Sequence, residues 1–120
     1  MFMSDWTDWN ERRAHLGKAI GNYASVSPDT VSAIVSLNSA GEKSGHLDAK
    51  TRELIALAVA ATTRCDGCIT IHAEEAVKAG ATREEIGEAL SVAIALNAGA
   101  ALVYSTRIMD AFDAAVAGKK

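Results

Sequence analysis

One uninterrupted apolar stretch decides the fold class of this chain: residues 54–61 read Leu54-Ile55-Ala56-Leu57-Ala58-Val59-Ala60-Ala61. Eight such residues are long enough for a strand, but alanine and leucine favour a helix. Asp48 is a suitable N-cap, so we predict a helix from about Ala49 to Thr63. Because that helix is apolar all round, we expect it to be buried on most of its sides.

Two helices are predicted before this stretch. The first starts near Ser4 or Asp8 and runs to about Tyr23. Ser27-Pro28 matches an N-cap followed by proline at the first helical position of a second helix, which is expected to end near Gly41.

Three helices are predicted after it. One begins close to Cys65 and stops at Gly80, in the position of a C′ glycine. Thr82 and Glu85 form a capping box that opens the next helix, and a break at residues 97–99 separates it from a last helix that ends at Ala117. No strand alternation competes with this pattern. The fold class is therefore all-α, with about six helices.

Composition points to a single domain over residues 1–120. The chain is 49% hydrophobic, and a core of this size needs no disulfide framework. The formal net charge is -3 and the 12 lysines and arginines are scattered, which argues against nucleic acid as a partner. Abundant alanine and nine glycines let the helices approach closely, but six short helices cannot easily hide so many apolar faces alone, so a homo-oligomer is expected.

Location is predicted from hydropathy along the chain. No apolar run reaches the ~20 residues of a membrane helix, so no membrane association is expected. Asp5, Asp8 and Glu11 stand where a secretory signal would be basic and then apolar. The expected location is the cytoplasm, where free thiols stay reduced.

The chemistry-bearing motif is Cys65-Asp66-Gly67-Cys68 followed by His72, a C-x-x-C-x-x-x-H pattern. On a helix Cys68 and His72 are i and i+4 and share one face. Cys65 lies at the helix start, where unpaired N–H groups and the dipole favour a thiolate, and Arg64 adds a positive charge.

The first interpretation of the motif is a redox dithiol. His72 is closer to Cys68 along the helix face and can act as its general base, which makes Cys68 the attacking thiolate. Cys68 would attack a peroxide oxygen, Cys65 would resolve the sulfenic acid to a disulfide, and an external dithiol would reset the pair.

Two other interpretations stay open on the residues alone. Cysteine and histidine also bind zinc, but a closed site needs a fourth ligand, for which only Glu53 or His46 can be suggested. Alternatively, both cysteines are small buried apolar residues and His72 is a hydrogen-bonded core histidine. Glu53 itself has a simple alternative, a solvated first-turn glutamate or a pair with Arg52 or Lys50.

The chain resembles the AhpD-like alkylhydroperoxidase / carboxymuconolactone decarboxylase family over roughly Leu47 to Leu96. The segments that carry the resemblance are Lys50-Thr51-Arg52-Glu53-Leu54-Ile55-Ala56-Leu57-Ala58-Val59, Cys65-Asp66-Gly67-Cys68-Ile69, His72, Ala76 and Gly80-Ala81-Thr82-Arg83-Glu84-Glu85-Ile86. The resemblance implies an all-α fold in trimers or hexamers.

The resemblance also implies roles for the site residues. Cys68 would be peroxidatic, Cys65 would resolve and meet the reductant, and His72 with Glu53 would relay a proton to the thiol. The implied substrate is a hydroperoxide and the implied electron donor is an external dithiol or redox protein, with no cofactor and no metal.

Two departures from the family pattern bear on this function. The founding alkylhydroperoxidase has a histidine between its cysteines, whereas this chain has Asp66 and Gly67 there. Gly67 carries no proton, and the charge of Asp66 disfavours a thiolate at Cys65. The decarboxylase branch acts on a muconolactone and generally lacks the cysteine pair, so a non-redox enzyme of that kind is the alternative function.

Overall fold

The computed structural model describes residues 8–119, and every regular element in that range is an α-helix. The five helices are α1 (Trp9–Val26), α2 (Pro28–Ser44), α3 (Ala49–Thr63), α4 (Asp66–Lys78) and α5 (Arg83–Gly118). The all-α prediction is confirmed, with five helices in this range where about six were expected. The alternative start of the first helix at Ser4 lies outside the described residues.

Helix starts follow the local capping signals. The Asp48 carboxylate accepts the N–H of Thr51 at 2.8 Å, and hydrogen bonding by the Thr51 side chain and then by its backbone lowers the pKa of Asp48 below its usual value. At α5 the Thr82 hydroxyl accepts the N–H of Glu85 at 3.1 Å, while the Glu85 carboxylate accepts the N–H of Thr82 at 2.9 Å. The predicted N-cap of α3 and the predicted capping box of α5 are both confirmed.

The end of α4 is also as predicted. Gly80 has a φ of 82°, in the left-handed region that suits a residue without a Cβ. The N–H of Ala81 bonds the carbonyl of Ala76 at 3.0 Å, and the N–H of Gly80 bonds that of Val77 at 3.1 Å. This pair of bonds is the Schellman arrangement, with Gly80 as the C′ residue.

The first two helices run further than expected. α1 ends at Val26 rather than Tyr23, and α2 passes through Gly41 to end at Ser44. A glycine inside a helix costs only about 1 kcal/mol relative to alanine, which neighbouring good helix formers can offset. The chain leaves the helix at Gly45 instead, where φ is 70°.

The expected break at residues 97–99 is wrong, because α5 is one helix of 36 residues. The Asn97 side chain donates to the carbonyl of Ala93 at 2.7 Å, one turn back, and so does not divert the backbone into a turn. No proline follows to stop the helix, and Gly99 alone is insufficient to do so.

Because α5 is continuous, it is longer than either of the two helices predicted for this region. By length and composition alone this helix is able to cross a membrane, with a mean hydropathy of 1.7 over its best window. One such helix is weak evidence, because core helices of soluble proteins pass the same test. Only 6% of that window is buried within the single chain.

The packing centre is α3, which contacts both α4 and α5, while α1 contacts α2 and α4. The buried side chains of the described range are few and small: Leu57, Ala60, Thr70, Ala76 and Ala93. The expectation that α3 is buried on most sides is wrong for the single chain, since Ile55 is 49% and Val59 53% exposed. Within residues 8–119, no helix covers the side of α3 that carries Ile55 and Val59.

Candidate active site

A tight turn between α3 and α4 sets the position of the cysteines. Arg64 adopts a left-handed conformation with φ 55°, which costs a residue with a Cβ about 1–2 kcal/mol. The N–H of Cys65 bonds back to the carbonyl of Ala60 at 3.1 Å. The chain thereby ends α3 and starts α4 within three residues, and Cys65 becomes the N-cap of α4.

The two cysteines are joined by a disulfide across the first turn of α4, with their Cα atoms 5.2 Å apart. The sulfur of Cys65 accepts the backbone N–H of Cys68 at 3.1 Å, in place of the oxygen of an ordinary N-cap. Both residues are half-buried. A sulfur at this position accepts a hydrogen bond from a backbone N–H and lies at the positive end of the helix dipole. Both effects stabilise a thiolate at Cys65 when the disulfide is reduced.

Glu53 and His72 meet across the α3–α4 packing. The Nδ1 atom of His72 lies 2.7 Å from the Oε1 atom of Glu53, and their side chains are 25% and 20% exposed. Glu53 lies in the second turn of α3 and His72 in the second turn of α4. A partly buried carboxylate therefore has a partner that holds the imidazole in one orientation.

The simple alternatives for Glu53 do not describe this structure. Lys50 pairs instead with Glu85 at 2.8 Å, and Arg52 donates to the carbonyl of Leu47.

The Lys50–Glu85 pair makes the stability of the fold depend on pH. Its hydrogen bond lowers the pKa of Glu85 and raises that of Lys50. The contribution of Glu85 to the free energy of unfolding is thus present above the usual glutamate pKa, and it is lost as the pH falls through the lowered value.

The Nε2 atom of His72 is the ring nitrogen that the contact with Glu53 does not use. Since Nδ1 is engaged by Glu53, Nε2 remains to exchange a proton with a sulfur or a substrate. Cys68 lies four residues earlier on the same helix, a separation that places the two Cβ atoms about 6 Å apart. The helical spacing therefore puts the Cys68 sulfur on the same face as the imidazole that Glu53 orients.

Helix α1 also contacts the cysteine turn. Arg12 Nη1 lies 3.3 Å from the Oδ2 atom of Asp66, which stands between the two cysteines. Arg13 Nε donates to the carbonyl of Thr70 at 2.9 Å. Between α1 and α4 is a cavity of about 360 Å³, lined by Asp8, Glu11, Arg12, His15, Leu16, Asp66, Gly67 and Thr70. One face of the cysteine turn is therefore built by α1.

Comparison with known proteins decides the family. The family model described as "Carboxymuconolactone decarboxylase family" matches residues 28–111, which is well over half of the chain. The chain belongs to the carboxymuconolactone decarboxylase family. The matched region contains Glu53, both cysteines and His72. It extends beyond the expected family core of residues 47–96 on both sides.

Individual relatives agree with that membership. An uncharacterized protein of Haemophilus influenzae is 52% identical over 89% of this chain and 95% of its own length. "Uncharacterized protein 4 in cox locus" of Paracoccus denitrificans is 36% identical over 79% of this chain and 86% of its own length. A carboxymuconolactone decarboxylase family protein from Legionella pneumophila, solved in its apo form, has a TM-score of 0.69 at 34% identity, over 88% of this chain and 94% of that one.

Other polar residues of this family member have plainer surroundings. His46 is exposed in the α2–α3 loop, and His15 is exposed at the edge of the α1–α4 cavity. Glu75, three residues after His72, lies 3.5 Å from Lys78 Nζ. Among residues 8–119 no group of three or more His, Cys, Asp or Glu side chains is arranged to hold a metal ion. The zinc interpretation gains no support from this geometry.

Arg12 and Arg13 contact the cysteine turn, although no motif in the sequence points to them. They lie 54 and 57 residues before their partners on α4, and no spacing rule connects positions so far apart. Gly67 shows the same closeness of α1, because a Cβ built there would lie 3.4 Å from the side chain of Leu16. The only local signal was two adjacent arginines on an amphipathic helix, which is also the pattern of a solvated face.

Proposed function

We propose that this family member is a thiol-dependent peroxidase or disulfide oxidoreductase, with Cys68, Cys65, His72 and Glu53 as its working residues. The observation that carries the proposal is the 2.7 Å contact between Glu53 of α3 and His72 of α4, the helix that begins at the two cysteines. A cysteine pair used only for packing would need neither a histidine on its own helix face nor a carboxylate to orient it.

In the first half-reaction Cys68 is the nucleophile. His72 Nε2 takes the thiol proton, and the thiolate attacks the terminal oxygen of a hydroperoxide, forming an S–O bond as the O–O bond breaks. The leaving alkoxide takes a proton back from His72 and departs as an alcohol. Cys68 is oxidised to a sulfenic acid, and the peroxide is reduced by two electrons.

In the second half-reaction Cys65 resolves the sulfenic acid. Its thiolate attacks the Cys68 sulfur, an S–S bond forms, and the hydroxyl leaves with a proton as water. The product is the Cys65–Cys68 disulfide present in this structure. An external dithiol, either a small molecule or a redox protein, returns both thiols by two exchange steps and is itself oxidised to a disulfide.

The test is to trap the oxidised sulfur. Fully reduced protein is mixed with one equivalent of an organic hydroperoxide and analysed by intact mass. Wild type should lose two hydrogens, Cys65→Ser should gain one oxygen on Cys68, and Cys68→Ser should do neither at a comparable rate. If Cys68→Ser keeps turnover of a small lactone while wild type ignores peroxide, the non-redox chemistry in the family's name is correct and this proposal is wrong.

We also propose that the protein works as a homo-oligomer in the cytoplasm. Large apolar side chains are exposed along α5, among them Leu102 at 73% and Ile108 at 65%. The accessible surface is 9335 Å², against about 6,200 Å² for a compact protein of this mass. The excess, about 3,000 Å², is as large as that covered by extensive obligate interfaces. A second copy of the chain is the partner proposed for this surface.

A further inference from the structure

Within the cysteine motif, Asp66 is the residue that most opposes ionisation of the Cys65 thiol. It stands directly after Cys65, and its side chain is 62% exposed. A carboxylate beside a sulfur repels a thiolate and so raises the pKa of the thiol. A redox pair with an aspartate at this position needs either a weak field from the carboxylate or a nearby cation to oppose it.

Helix α1 supplies that cation. Arg12 lies 3.3 Å from the Asp66 carboxylate, and its side chain is 34% exposed, so solvent screens the pair only in part. The same guanidinium lies 5.0 Å from the centre of the Trp9 ring, which restricts where it can go. Leu16 packs beside Gly67 one turn further along α1, which fixes α1 against the cysteine turn.

We propose that Arg12 is a positioning residue for the redox pair: it holds the Asp66 carboxylate on the α1 side of the turn and so limits its repulsion of the Cys65 thiolate. This inference rests on the proposed function, because it concerns the resolving thiol of that reaction. It assigns a role in the site to a helix outside the α3–α4 pair that carries the motif.

Other charged groups lie near the same turn, so the effect of Arg12 on the Cys65 pKa must be distinguished from theirs. Asp8, Glu11 and His15 of α1 line the cavity beside Asp66. Arg64 precedes Cys65 on the turn from α3, and the Glu53–His72 pair lies deeper between α3 and α4. Arg13 is the matched control, since it is the next residue of α1, carries the same charge and contacts α4 at Thr70 and Glu74 rather than at Asp66.

The experiment measures the ionisation of Cys65 in reduced full-length protein, from alkylation rate against pH in a Cys68→Ser background. Arg12→Gln should raise the Cys65 pKa by about 0.5 unit, which is the shift that an unopposed carboxylate charge about 6 Å from a thiolate produces in water. Arg12→Lys should stay near wild type, and Arg13→Gln should shift the value less. In an Asp66→Asn background the effect of Arg12→Gln should fall to half or less.

Equal shifts from Arg12→Gln in the presence and in the absence of the Asp66→Asn change would overturn the inference, because Arg12 would then act directly on the sulfur. No shift, or the same shift from Arg13→Gln, would overturn it too. Peroxide oxidation of Cys68 is followed separately in protein with both cysteines. If Cys68 reacts and only the Arg12 effect is missing, this inference alone fails, whereas a Cys68 that never reacts removes the proposed function.

Discussion

The contact between Glu53 and His72 joins residues 19 positions apart, and it is the smallest feature on which the proposed function rests. Spacing placed Cys68 and His72 on one helix face, because the helical repeat fixes positions within a helix. Spacing left Glu53 open between a solvated residue and a paired one, because its partner is set by how α3 packs on α4. Only the family resemblance linked Glu53 to the relay before the structure was known.

Replacing Glu53 should slow the reaction of Cys68 with peroxide. In Glu53→Gln the side chain keeps its size but loses the charged carboxylate that orients the His72 ring. We expect the rate of peroxide oxidation to fall about 10-fold or more, part of the roughly 10²–10⁴ that a positioned general base contributes. Stopped-flow fluorescence or quenched alkylation measures the rate.

Glu75→Gln is the matched control for that change. It removes the same charge three residues from His72, but from a carboxylate that faces Lys78. Its rate should stay within about 2-fold of wild type. Equal losses in both variants would mean that general charge around α4, and not the Glu53 contact, sets the rate.

Among the helices, the starts of α3 and α5 could be predicted from the sequence. The ends of α1 and α2 and the continuity of α5 could not. Capping at Asp48 and Thr82 is a local bond between a side chain and a backbone group three residues on, so sequence shows it. Whether a glycine ends a helix depends on the conformation it adopts. Gly80 is left-handed and ends α4, while Gly41 and Gly99 lie inside helices.

Alanine substitutions at two glycines should therefore have opposite effects on stability. Gly80→Ala places a Cβ at a φ of 82° and should lower the free energy of unfolding by about 1 kcal/mol. Gly87→Ala lies in the second turn of α5 with open space around the added Cβ, and should raise it by about 0.5–1 kcal/mol. Urea denaturation followed by circular dichroism gives both values. The same sign at both positions would contradict the assigned conformations.

At the scale of the whole molecule the single chain is more extended than a compact protein of its length. Its radius of gyration is 19.8 Å, against about 14 Å for a compact protein of 120 residues. Composition predicted a surplus of apolar surface, but it did not show where that surface lies. The helical repeat now places Ile108, Phe112 and Val116 on one side of α5, with Arg107, Asp110 and Ala114 on the other.

A charge on the apolar side of α5 should dissociate the assembly. We expect wild type to sediment as a multiple of the 12.5 kDa chain, and Phe112→Glu to shift it toward the single chain. Ala114→Glu adds the same residue on the polar side and should leave the mass unchanged. Analytical ultracentrifugation in detergent-free buffer makes the measurement. A wild type that sediments as a single chain would refute the oligomer, and partition into vesicles would indicate a membrane as the occupant instead.

The most direct test of the proposed redox function is to measure the pKa of Cys68 in the reduced protein. Alkylation rate against pH is measured by mass spectrometry in a Cys65→Ser background, with and without His72→Ala. We expect a pKa clearly below the ~8.5 of a free cysteine, and a rise toward that value when His72 is removed. A Cys68 that titrates as a free cysteine in both proteins would contradict it, because the Glu53–His72 pair would then do nothing to the thiol.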